Sequence, residues 1–277
     1  MTVKTAQQLK SLVRNLSKGN SIKTQEIMRS YATERFLERV SLSRYYESIV
    51  LKGGVLIAAM VGIDSRFTMD IDTTVRNLTL SEESAAAIVD DIISIPLDDG
   101  ISFLVKEVRT IMDDADYPGI RVLLEAELER IRIPLKIDIS ANDVITPATE
   151  PFAIKLMFED RSFTVTAYNL ETVLAEKMQT VVARSVANTR MRDFYDLYIL
   201  ERTCDINPET LREAFDKTSS KRNTKTDRSA IAEILQTIET NQRMIKLWSS
   251  YRSKYEYANH VEWEDAMSAL SRIFSHL

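Results

Sequence analysis

Two short segments place carboxylates where they can act together. Arg66-Phe67-Thr68-Met69-Asp70-Ile71-Asp72 alternates polar and apolar residues at its end. On a strand, Asp70 and Asp72 project from one face and Met69 and Ile71 from the other. Two carboxylates that close repel each other unless a cation lies between them. Magnesium suits such a pair, because it takes few carboxylate oxygens and keeps room for water and phosphate. A solvated edge strand would show the same pattern without a metal. Lys136-Ile137-Asp138-Ile139-Ser140 repeats the alternation and offers Asp138 as a third carboxylate from a neighbouring strand. Three carboxylates on two strands suit a pair of magnesium ions clamping the two oxygens of an in-line phosphoryl displacement. An outward-facing polar residue is the alternative for Asp138.

Other residue types fit the same chemistry. Gly53 and Gly54, after Leu51-Lys52, allow close backbone approach and can turn N–H groups toward phosphate oxygens. Taken alone, the pair is better explained as a plain helix C-cap. In Leu170-Glu171-Thr172-Val173-Leu174-Ala175-Glu176-Lys177-Met178, helical spacing puts Lys177 beside a buried stripe of Leu170, Val173, Leu174 and Val181. A lysine there either reaches a triphosphate as a point charge or snorkels to solvent. Arg190-Met191-Arg192-Asp193-Phe194-Tyr195-Asp196-Leu197-Tyr198 sets Asp193 and Asp196 three apart on a helix, near the burial boundary. Arg192 is placed to pair with Asp196 one turn on. Asp193 falls near the helix start, where the dipole favours an ionised carboxylate.

The elements that must carry these residues follow from periodicity. Helices are predicted over 24–37, 42–51 and 82–95, with Ser81 as the cap of the last. Strands are predicted over 69–75, 101–112, 120–128, 133–139 and 163–167, with the turn between the second and third at Asp114-Ala115-Asp116-Tyr117-Pro118-Gly119. From Leu170 onward the pattern is nearly all helical, interrupted by a polar stretch over 217–228. The fold class is therefore α+β: a mixed α+β domain with N-terminal helices over 1–168, and a helical domain over 169–277 that contributes Lys177 and Asp193.

At this point the residues resemble a family. Lys52-Gly53-Gly54, Arg66-x-Thr68-x-Asp70-x-Asp72, Glu176-Lys177 and Arg190-x-Arg192-Asp193-x-x-Asp196-Leu197 are similar, in order and spacing, to the four-part pattern of the AbiEii/AbiGii toxins. These are bacterial nucleotidyltransferase-like proteins of abortive-infection (phage defence) and toxin–antitoxin systems, to whose wider group the MenT toxins belong. The resemblance covers roughly residues 27–200. It implies a DNA polymerase β-like nucleotidyltransferase fold with a small mixed sheet and a helical C-terminal region. It assigns metal binding to Asp70 and Asp72, triphosphate contact to Lys177, and a catalytic or orienting role to Asp193. Gly53, Gly54 and Arg66 would serve the nucleotide, and Asp138 would stand at the third-carboxylate position, where the family varies. The wider superfamily usually has Gly-Ser where this chain has Gly53-Gly54, which removes a hydroxyl near the phosphates.

The implied reaction moves a nucleotide from a nucleoside triphosphate, with Mg2+ or in its place Mn2+, to an acceptor headed by RNA and the tRNA 3′ end. A protein or small-molecule acceptor, or a nucleotide-binding protein of the same fold without turnover, are the alternatives. A cognate antitoxin encoded nearby is the implied partner. Lys217, Lys221, Arg222, Lys225 and Arg228 form a basic stretch that either helps hold RNA or is a solvated loop.

Composition fits this reading. The chain has 277 residues, 44% hydrophobic and 28% charged, with a formal net charge of −5. That balance says nothing in favour of a broad basic groove for nucleic acid and leaves room for a local one. The start of the chain carries no apolar signal-peptide core, no apolar run is long enough to span a bilayer, and Cys204 is the only cysteine, which together lead us to expect a cytoplasmic protein. His260 and His276 are the only histidines, too few for a His-rich zinc site.

Overall fold

The alternating segments form strands, and all of them join one sheet. In the computed structural model, which describes residues 3–18, 20–62, 66, 68, 70–111, 119–224 and 228–277, the order is α1 (Ala6–Ser17), α2 (Ser21–Leu42), β1 (Ile49–Lys52), α3 (Gly53–Val61), β2 (Asp70–Val75), α4 (Glu82–Ile93), β3 (Ser102–Ile111), β4 (Gly119–Leu128), β5 (Ile131–Ala141), β6 (Glu150–Lys155) and β7 (Ser162–Ala167). The helices α5 (Leu170–Arg184), α6 (Met191–Thr203), α7 (Pro208–Lys221), α8 (Arg228–Thr240), α9 (Gln242–Lys254) and α10 (Trp263–Phe274) follow. The expected turn over 114–119 lies outside the described residues except for Gly119, as do Phe67, Met69 and Lys225.

The chain divides into two units, the first made of Met1–Ala59, Phe67–Asp143 and Glu150–Ala167. Its seven-stranded sheet has the order β3-β4-β5-β2-β1-β7-β6. The β2–β5 and β1–β7 pairings are parallel and the other four antiparallel. On β5, Ile131, Ile133, Leu135, Ile137 and Ile139 are buried while Lys136 and Asp138 between them are only partly so. On β2, Ile71, Thr73 and Val75 share the buried side. The helices α2 and α4 pack against the sheet, α2 on β5 and β7 and α4 on β3 and β4. The opposite sheet face thus keeps the polar members of each alternating strand. Ser81 caps α4 as the sequence indicated, its side chain accepting the Ser84 N–H.

Buried charge also lies within α2. Arg35 Nη2 stands 2.7 Å from Glu34 Oε1, and Arg35 Nη1 stands 2.9 Å from Glu38 Oε2. Glu34 Oε2 accepts the Met157 N–H at 2.7 Å, and Arg161 from the β6–β7 loop pairs with Glu38. Burial pushes the Glu34 carboxyl up to about 7, against the lowering effects of Arg35 and of that N–H.

Several expectations are corrected. The segment 42–51 is not a helix: α2 ends at Leu42 and Ile49–Lys52 is a strand between β2 and β7. A three-residue apolar run enclosed on both sides, Ile49-Val50-Leu51, carries no alternation, so its period is silent. Gly53 and Gly54 do not end a helix either; they open α3 directly after β1. The edge strand β6, which contains Pro151, went unpredicted.

The second unit comprises Met60–Arg66, Val144–Thr149 and Tyr168–Leu277. Asn169 caps α5 by accepting the Thr172 N–H at 2.8 Å, while its amide donates to the Thr146 and Ala148 carbonyls at 2.8 Å each. That one side chain fixes both the start of α5 and the approach of the 144–149 segment. In the helical core the Trp263 ring packs against both Phe194 and Trp248, with centroids 5.6 and 5.7 Å away. No described helix is long and apolar enough to cross a membrane.

Candidate active site

A row of charge crosses the open sheet face in register. Lys52 on β1 pairs in register with Asp72 on β2, Asp72 with Asp138 on β5, and Asp138 with Arg121 on β4. One step along, Asp70 is opposite Lys136. Cross-strand partners share a face, so six charges of alternating strands stand side by side. Arg121 forks onto Asp138, Nε to Oδ1 at 2.8 Å and Nη2 to Oδ2 at 2.9 Å. Lys136 Nζ is 2.7 Å from Asp70 Oδ2 and 3.7 Å from Asp138 Oδ2. Lys52 pairs with Asp143, which also accepts the Ser140 hydroxyl at 2.7 Å.

Asp72 is the exception. Among the described residues it takes no side-chain ion pair; the Gly54 N–H reaches its Oδ2 at 3.3 Å. Burial, together with the neighbouring charges of Asp138 and Asp70, raises its carboxyl above the ordinary value despite Gly54 and Lys52. Gly53 is required beside it. Its φ is +64°, and a Cβ there would lie 2.2 Å from Asp72 Oδ2. The turn from β1 into α3 is therefore shaped around this carboxylate, with helix N–H groups next to it.

These residues fit a hard divalent cation. Asp72 is a carboxylate short of positive charge, Asp70 beside it is 39% exposed, and both donors are oxygen. Asp138 does stand next to Asp72 in register, but its carboxylate is held by Arg121, and among the described residues no three His, Cys, Asp or Glu side chains converge on a metal position.

The second constellation lies in the helical unit and is buried. Lys177 Nζ sits 2.7 Å from Asp193 Oδ1 and 2.8 Å from Asp196 Oδ2. Arg66 forks onto Asp196, Nε to Oδ1 at 2.8 Å and Nη2 to Oδ2 at 3.2 Å. Arg190 Nε approaches Asp193 Oδ2 at 2.9 Å. Burial would raise the Asp196 carboxyl, but Lys177 and Arg66 overcome it and hold it far below the usual range. Burial would likewise lower the Lys177 ammonium, and the two carboxylates instead raise it.

Sequence reasoning set both carboxylates at the burial boundary and paired Asp196 with Arg192. Both are in fact buried, and Asp196 is bound by Arg66 and Lys177. Arg192 turns instead to Tyr255, its guanidinium 5.3 Å from the ring centroid and donating to the hydroxyl at 3.3 Å. A partner 130 residues distant, as Arg66 is from Asp196, is invisible to helical spacing.

Comparison with known proteins now decides the family. The model of the nucleotidyl transferase AbiEii toxin, of type IV toxin–antitoxin systems, matches residues 35–269. The chain belongs to the AbiEii family. Among solved structures, JHP933 from Helicobacter pylori is similar with a TM-score of 0.54 at 15% identity, covering 91% of this chain and 90% of that one. A candidate nucleotidyltransferase of H. pylori reaches 0.49 at 15% identity, covering 91% and 93%. An antigenic nucleotidyltransferase-like protein from Paracoccidioides brasiliensis reaches 0.42 at 11% identity, covering 74% and 93%. No curated protein sequence matches. The fold is that of the nucleotidyltransferases, a mixed sheet with added helices.

In this AbiEii chain the site residues that sequence reasoning missed are Lys136, Arg121, Lys52 and Asp143. Lys136 was legible as the residue two before Asp138 on one strand face; Arg121 required the β4–β5 register. The basic stretch is engaged with acids and with α5. Arg222 Nη1 donates to Gln179 Oε1 at 2.6 Å, Lys217 pairs with Glu213 at 2.7 Å, and Arg228 pairs with Asp216 at 2.6 Å.

Proposed function

We propose that this AbiEii-family chain transfers a nucleotide from a nucleoside triphosphate to RNA, with the tRNA 3′ end as the leading acceptor. The observation that carries the reading is the carboxylate Asp72, lacking a paired cation among the described residues, set beside Asp70 and against the Gly53–Gly54 turn. Asp70 and Asp72 would hold magnesium, which when bound neutralises phosphate charge and orients the triphosphate. Gly54 and the first turn of α3 supply N–H groups for phosphate oxygens. An ammonium has three donors, and two of those of Lys177 go to Asp193 and Asp196. The third serves the triphosphate. Asp193 in this reading positions Lys177 and keeps it charged. Arg66, clamped on Asp196, acts on the nucleotide only through that scaffold.

The test uses purified protein, each labelled nucleoside triphosphate and total tRNA with Mg2+. The wild type labels tRNA, and its induced expression slows bacterial growth. Asp70→Asn and Asp72→Asn keep the fold and lose both effects. Transfer that survives in both variants refutes the metal role. Label that enters protein instead of RNA refutes the acceptor.

A further inference from the structure

Seven charged groups gather at this end of the sheet: the cations Lys52, Arg121 and Lys136, and the carboxylates Asp70, Asp72, Asp138 and Asp143. Three cations against four carboxylates leave one net negative charge. Lys136 is the cation whose position raises a question. Its ammonium contacts Asp70, one of the two carboxylates best placed to take a metal, and a lysine and a divalent cation cannot both sit on that oxygen.

We propose that Lys136 is a built-in counter-ion of the metal position, which holds Asp70 until a divalent cation arrives and then passes to Asp138. The inference rests on the metal reading of Asp70 and Asp72 given above. Three features of the geometry support it. Lys136 Nζ already lies between its two acceptors, 2.7 Å from Asp70 and 3.7 Å from Asp138, so the transfer is a small rotation of a flexible stem. The side chain is 27% exposed, so the ammonium is not locked by packing. Asp138 has capacity for it, because a carboxylate offers about four lone-pair sites and the Arg121 fork fills two. Lys136 and Asp138 are two apart on β5, hence on one face at a fixed separation. With the lysine moved and a divalent ion in place, the net charge becomes +1, which suits a polyanionic triphosphate.

Lys136 therefore sets the metal affinity by competition. The experiment titrates Mn2+ alone into the full-length protein by calorimetry, without nucleotide. Lys136→Gln binds Mn2+ at least about tenfold more tightly than the wild type, and Lys136→Arg binds like the wild type. Lys106→Gln, which alters an exposed lysine on β3, changes nothing. Lys136→Met serves as a second charge-free variant, and melting curves establish folding for each. Asp138→Asn weakens binding in the wild type but has no effect in the Lys136→Gln background, because only the lysine uses Asp138 as its alternative seat. Equal or weaker binding by both Lys136→Gln and Lys136→Met overturns the proposal. So does an equal loss from Asp138→Asn in both backgrounds, which makes Asp138 a ligand. A wild type and variants that all bind no Mn2+ overturn the metal reading itself, an outcome distinct from Mn2+ bound equally by all.

Discussion

Replacing Asp196 by alanine tests whether the buried constellation is a scaffold. Its side chain is 0% exposed and holds two cations, Arg66 and Lys177. Asp196→Ala leaves Arg66, itself buried, without its fork, and leaves Lys177 with Asp193 alone. Removing one partner of a buried ion pair costs about 3–5 kcal/mol, because the remaining charge has lost both water and counter-ion. For a chain of this size that lowers the melting temperature by roughly 6–20 °C. Asp193→Ala is milder, at about 1.5–3 kcal/mol, the scale of a charged hydrogen bond: Lys177 keeps Asp196, and Arg190 is half exposed and returns to solvent. Asp196→Leu combined with Arg66→Leu recovers part of the loss by removing charge from both sides. The pH sign follows from the depressed Asp196 carboxyl. Its stabilisation is complete above the ordinary value of 3.8 and fades as pH falls through the lower folded-state value, so the gap between wild type and Asp196→Ala narrows only in strong acid. Thermal and urea melts of the three variants measure this. An Asp196→Ala protein within about 1 kcal/mol of wild type, or less affected than Asp193→Ala, refutes the scaffold argument.

Two further perturbations follow from the first unit. Gly53→Ala places a methyl 2.2 Å from Asp72 Oδ2 at a left-handed φ, so it costs about 1–2 kcal/mol of backbone strain and displaces the carboxylate; nucleotide transfer and Mn2+ binding are both lost, and a Gly53→Ala protein that binds Mn2+ normally contradicts the tight turn. Glu34, pushed up to about 7 from 4.5, keeps a proton in the folded state that the unfolded chain releases, so its ionisation lowers stability as pH rises between those values. Glu34→Gln flattens that slope in urea midpoints measured from pH 4.5 to 7, and an unaltered slope assigns the dependence elsewhere.

Much of the fold was readable where a period was available. The alternation over Lys136–Ser140 and Asp70–Val75 gave both strands and the correct polar face, and the spacing of Asp70 and Asp72 set them side by side. Reading failed where local pattern and tertiary setting diverge. Ile49–Lys52 is enclosed between two strands and shows no alternation; β6 is a short strand at the sheet edge with Pro151 near its start. The α2 helix was read over 24–37, but the burial of Glu34, Arg35, Glu38 and Arg39 on it was not, because the pairing is made in part with residues far along the chain, such as Asp99 and Glu159. Register was the missing information in the site as well. The sequence shows Asp72, Asp138, Arg121 and Lys52, but nothing in it says that they stand in one row.

That row and the buried constellation neutralise charge by opposite means, and the difference separates positions that bind from positions that hold. Around Lys177 every carboxylate has a cation at 2.7–2.9 Å: Asp193 has Lys177 and Arg190, and Asp196 has Lys177 and Arg66. Such a set gains little from any added cation and loses heavily when one member is removed. On the sheet face, Asp138 and Asp143 are paired, Asp70 is paired by an ammonium that has a second seat within reach, and Asp72 is left, among the described residues, with a single N–H. Desolvation keeps the Asp72 carboxyl raised, so ionising it costs free energy in the metal-free protein. A divalent cation would recover that cost on binding. On the proposed metal reading, the cation affinity of this face would reside in the one carboxylate of the row that takes no side-chain ion pair among the described residues, beside the Gly53 turn.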